Sequence, residues 1–121
     1  MTNESLAAHA AVRTAREAVE RAQRCHGGDA LTEALVSVTN ALNAAATMLA
    51  RATDPRSAFV LHASWYVSDA AGVCWDAVQR QRHLDGGGRD PVRYAPALDI
   101  ARRALSAAMS ALDESAERVS A

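Results

Sequence analysis

His62, Tyr66 and Asp69 stand at i, i+4 and i+7 within SAFVLHASWYVSDAAGVCWDAV, residues 57–78. On a helix each residue advances about 100°, so this spacing puts an imidazole, a phenol and a carboxylate on one side. Such a trio could pass a proton beside an aromatic ring, which makes these three the candidate catalytic residues. No catalytic motif accompanies them, and a role other than catalysis is the expectation. His62, Asp69, Asp76 and His83 also recur at every seventh position. Seven residues of helix span about 10.5 Å, too far for neighbouring rungs to share a metal ion. Glu-x-x-His, His-Glu-x-x-His and Cys-x-x-Cys are all absent from the chain, so no metal and no cofactor are expected. The DGGGRD segment lacks the Lys-Ser/Thr of a phosphate loop.

The same segment holds Phe59, Trp65, Tyr66 and Trp75, four of the five aromatic residues. With His62 as origin, Phe59, Val60, Ala63, Val67, Ala70, Ala71, Cys74, Ala77 and Val78 fall in one broad arc that reads as a core face. His62, Asp69, Asp76 and Arg80 form a narrow polar stripe elsewhere on the helix, flanked by Trp65 and Tyr66, while Trp75 sits near the far edge of the apolar arc. Three uses for the aromatics follow: filler around a thin alanine core, a subunit interface, or the wall of a small-molecule pocket.

The elements that must position these residues are helical. The chain of 121 residues is half hydrophobic and carries a formal net charge of −1, which fits one domain, residues 1–121. Alanine, the best helix former, dominates, and no run of β-branched or aromatic residues reads as a strand. The near-neutral charge gives no general attraction to nucleic acid or to an anionic membrane. The longest uncharged stretch, Ala34–Ala50, is too polar and too short to span a bilayer. The N-terminus does not read as a secretory signal, and two cysteines do not make a disulfide framework, so a soluble cytoplasmic protein with free thiols is expected.

Four segments carry the pattern, roughly 3–25, 30–52, 55–83 and 96–118, and predict an antiparallel four-helix bundle. The first has the seam Ala8, Val12, Ala15, Val19 and Ala22; the second, Leu31, Leu35, Val38, Leu42, Ala45, Leu49 and Ala52; the fourth, Leu98, Ala101, Leu105, Ala108, Leu112 and Val119. HGGD offers Gly27 or Gly28 as a cap and Asp29 as the next N-cap; Asp54-Pro55 opens the third helix. Pro96 sits too deep for a helix begun at Pro91, so a turn is expected over 91–94. Val36, Asn40, Asn43 and Thr47 lie opposite the second seam, with no charge between Glu33 and Arg51. A helix side facing water normally carries charges, so a cover is expected there.

These features favour a protein–protein interaction or assembly module, a homodimer, with the uncharged back of the second helix and Trp65, Tyr66, Trp75 and Asp76 as the interface candidates. A module docked on a larger protein partner, and a bundle that binds a small-molecule ligand or acts as a small enzyme through its aromatics, are the other classes.

Overall fold

The computed structural model describes the backbone of residues 3–25, 28–52, 58–83 and 91–120, and the side chains of these residues except 28, 81–83, 91–93 and 116–120. Four helices follow in order: α1 Asn3–Arg24, α2 Gly28–Arg51, α3 Ala58–His83 and α4 Pro91–Ser120. Each helix packs on the next, α4 closes against α1, and the backbones of α1 and α3 stay apart at opposite corners of the square. The direction of α4 against α1 is antiparallel. His9, early in α1, meets Met109 and Asp113 late in α4 (Nδ1 to Sδ 3.2 Å, Nε2 to Oδ1 3.8 Å). Ala22 and Gln23, late in α1, share a groove with Leu98 and Asp99, early in α4. The expected all-α bundle is the observed fold.

The predicted seams are the observed core. Every member of the α1 seam is buried, as are the α2 seam from Leu31 to Leu49 and the α4 seam from Leu98 to Leu112. Ala52 lies in a turn after α2 and is half-buried; the side chain of Val119 falls outside the described residues. Leu31, Leu35, Leu42, Leu49 and Leu105 are the largest fully buried side chains, and alanines from all four helices fill the space between them. A core built this way brings helix axes close, because an alanine holds its neighbour off by a single methyl group. Thr39 is buried on α2 without penalty because its hydroxyl donates to the Leu35 carbonyl at 3.0 Å.

Three expectations need correction. α4 begins at Pro91 and runs through Pro96, so residues 91–94 are helical and do not form the expected turn. A proline at that depth removes the bond to the Val92 carbonyl and crowds that carbonyl with its ring, and burial of Tyr94, Ala97 and Leu98 around it offsets the loss. Second, α2 begins at Gly28, so Gly28 does not stand outside it as a cap of α1. Asp29 lies within the first turn, where its charge still favours the positive helix end. Third, Phe59 leaves the core arc and is exposed; it sits at the edge of that arc, in the first turn of α3. Asp54 and Pro55, Gly27 and the triple glycine at 86–88 lie outside the described residues.

Candidate functional site

α3 is apolar on two sides. Val60, Ala63, Val67, Ala70, Ala71, Cys74 and Val78 are buried, with Ser64 tucked beside them and donating to the Leu61 carbonyl at 2.6 Å. The other side stands in water and holds Phe59 (56% exposed), Trp65 (56%), Tyr66 (64%), Val73 (40%) and Trp75 (44%). Among the described residues the only buried aromatic is Tyr94, on α4. The aromatics of α3 are therefore not filler for an alanine core. With about 150–250 Å² per aromatic side chain, those exposures leave roughly 450 Å² of aromatic surface uncovered on one helix. The largest apolar patch of a typical monomer is about 300–600 Å² in total. The rings of α3 sum to an area of that size, spread on both sides of a polar stripe.

The polar stripe runs through this patch. His62, Asp69, Asp76 and Arg80 are all exposed. The His62 and Trp65 rings lie 5.2 Å apart at 36°, and Arg80 Nε pairs with Asp76 Oδ2 at 3.0 Å. His62, Tyr66 and Asp69 share one side of α3, as the spacing requires, but on an outward face where Trp65 and Tyr66 are more than half open. The side chain of His83 falls outside the described residues, and among the described residues no three metal-ligating groups come together.

The back of α2 lies on the neighbouring corner. Asn40, Asn43 and Thr47 are exposed, and Val36 is half-buried against the core. Thr47 satisfies its own hydroxyl by donating to the Asn43 carbonyl at 3.0 Å. Because α2 and α3 pack side by side, the uncharged strip and the aromatic strip occupy adjoining surfaces. Within a single chain neither is covered.

One residue of this face escaped the sequence reading. Gly72 lies inside α3 between Ala71 and Val73, and a Cβ built on it meets nothing within 4 Å. Neither backbone conformation nor packing within the chain calls for glycine there. The signal was legible, since an isolated glycine within a helical pattern costs about 1 kcal/mol relative to alanine.

Elsewhere, Ala22, Gln23, Cys25, Leu31, Ala95, Leu98, Asp99 and Arg102 border an open groove of about 460 Å³ where α1, α2 and α4 meet. Asp99 is held below the usual carboxylate range first by the hydrogen bond from Arg102 (2.7 Å), with the Arg103 and Arg102 charges helping. The two thiols differ. Cys25 is half-buried and donates weakly to the Arg21 carbonyl at 3.4 Å; Cys74 is fully buried, 3.8 Å from the Ala97 carbonyl, and burial raises its pKa from 9.0 to about 11. Iodoacetamide at neutral pH is expected to alkylate Cys25 in the native protein and Cys74 only after unfolding, because the thiolate is the nucleophile. The folded state binds the Cys74 proton more tightly than the unfolded chain. Stability from this group is therefore complete below pH 9.0 and falls as pH rises through about 11, by on the order of 2 kcal/mol. Equal alkylation rates for the two thiols would contradict this placement.

No helix among the described residues is long and apolar enough to cross a membrane. No family model, no curated protein and no solved structure matches the chain.

Proposed function

We propose that this bundle is an assembly module that works as a homodimer through the outward face of α3, with the uncharged strip of α2 beside it. The observation that carries the reading is the outward display of Phe59, Trp65, Tyr66 and Trp75 on a fold that buries the leucines of its α2 and α4 seams. Exposed aromatic surface is costly in water, and Trp and Tyr are the residues that anchor interfaces. A standard interface covers about 800 Å² on each partner. The rings of α3, with Val73 and the neutral side chains of α2, supply most of that. The two unpaired thiols suit a reducing compartment, and we place the protein in the cytoplasm.

The reading is tested by the mass of the purified chain in solution. Light scattering or sedimentation equilibrium is expected to give twice 12.8 kDa. A monomer persisting at the highest attainable concentration would overturn the reading and turn attention to a different protein as the partner.

A further inference from the structure

We propose that the dimer forms by antiparallel packing of α3 on α3 about a two-fold axis at Asp69, with Trp65 of each copy seated over Gly72 of the other. This rests on the self-association proposed above and goes further by fixing its register. Seven residues of the face fall within an arc of about 120° at 100° per residue. Trp65 and Gly72 make one edge, His62, Asp69 and Asp76 the middle, and Tyr66 and Val73 the other edge.

When two identical helices pack face to face and antiparallel about a two-fold axis lying across them, each edge meets the same edge of the partner. Residues equidistant in sequence from the axis then face each other. A register centred on Asp69 satisfies all three rows. It sets Trp65 against Gly72, Tyr66 against Val73 and His62 against Asp76, each pair centred on position 69 to within half a residue. Every pair occurs twice. The indole fills the space that the missing side chain of Gly72 leaves open, an apolar ring meets an apolar side chain, and an imidazole meets a carboxylate.

A parallel pair would instead set the middle row against its own copy and each edge against the opposite edge. Asp69 and Asp76 would both meet like charge, and Trp65 would face Tyr66 of the partner and not the open space over Gly72. The antiparallel register keeps one like-charge contact, at Asp69 on the axis. It also explains a glycine that nothing in the chain requires, in a protein whose usual small helical residue is alanine. A bulkier residue at 72 would hold the helices apart where the tryptophan must enter.

Gly72→Ala is expected to act in opposite directions on the two equilibria. In dilute solution, where the chain is monomeric, its unfolding midpoint rises, since alanine is the better helix former. The dimer dissociation constant rises by about ten-fold or more, as expected when close contact with an anchoring tryptophan is lost. Asp69→Asn removes the like-charge contact and is expected to tighten the dimer about two- to five-fold. In a Cys25→Ser background, Asp69→Cys is expected to give a disulfide-linked dimer under mild oxidation, because only a position on the axis meets itself at disulfide distance. The Trp75→Cys variant in the same background is expected to cross-link far more slowly. A dimeric wild type whose dissociation constant is unchanged by Gly72→Ala, or in which Asp69→Cys fails to cross-link, would overturn the register and leave the dimer standing. A monomeric wild type would remove both.

Discussion

Trp65→Ala is expected to convert the dimer into monomer over most of the working concentration range, with a dissociation constant raised roughly 30- to 700-fold. Truncating an aromatic anchor buried in an interface costs about 2–4 kcal/mol, and 1.4 kcal/mol is one factor of ten. The same change should leave the stability of the isolated chain within about 0.5 kcal/mol, because Trp65 is 56% exposed there. Sedimentation equilibrium reads the first quantity and denaturant unfolding in dilute solution reads the second. The pairing of a large effect on mass with a small one on the fold separates an interface tryptophan from a structural one. Loss of folding in the dilute variant would mean that the indole packs within its own bundle.

Leu42→Ala is expected to produce the opposite pair of effects. Leu42 is at the centre of the α2 seam and fully buried, so the change removes its transfer free energy and leaves a cavity. The expected loss is about 2–5 kcal/mol, a large part of the roughly 5–15 kcal/mol that a domain of this kind possesses. The neighbouring alanines make the loss fall towards the upper end, since side chains with no free rotamers cannot swing into the gap. Denaturant unfolding should show a lower midpoint with an unchanged slope. A loss below 1 kcal/mol would show that the core can collapse around the gap and is packed less closely than its burial implies.

The fold was legible in the sequence wherever one apolar stripe faced one charged side. The α2 seam keeps its four–three alternation from Leu31 to Leu49 and each member is buried, because a helix with one apolar stripe has only one way to face. α3 was harder for the same reason turned round. It has apolar residues on both sides, so periodicity placed Val67 and Cys74 inside correctly but assigned Phe59 inside as well. The arc edge at about 60° is also where Ala77 is half-buried, so angle alone does not separate the two residues. At Pro96 a local rule gave way to packing, since the neighbouring Tyr94, Ala97 and Leu98 are all buried and hold the first turns of α4 in helical form. Of the candidate site, the aromatic and polar stripes could be read from spacing. Gly72 could not be interpreted from spacing, because what makes it informative is the open space above it.

Alanine at the helix contacts also sets the direction in which this protein can change. Positions such as Ala15, Ala45, Ala101 and Ala108, all fully buried, admit glycine, serine or cysteine with modest strain but push the backbones apart if given anything larger. The interior is thus closed to invention, and new chemistry or new partners can be acquired only on the outer surfaces, the ones that already carry four of the five aromatic rings.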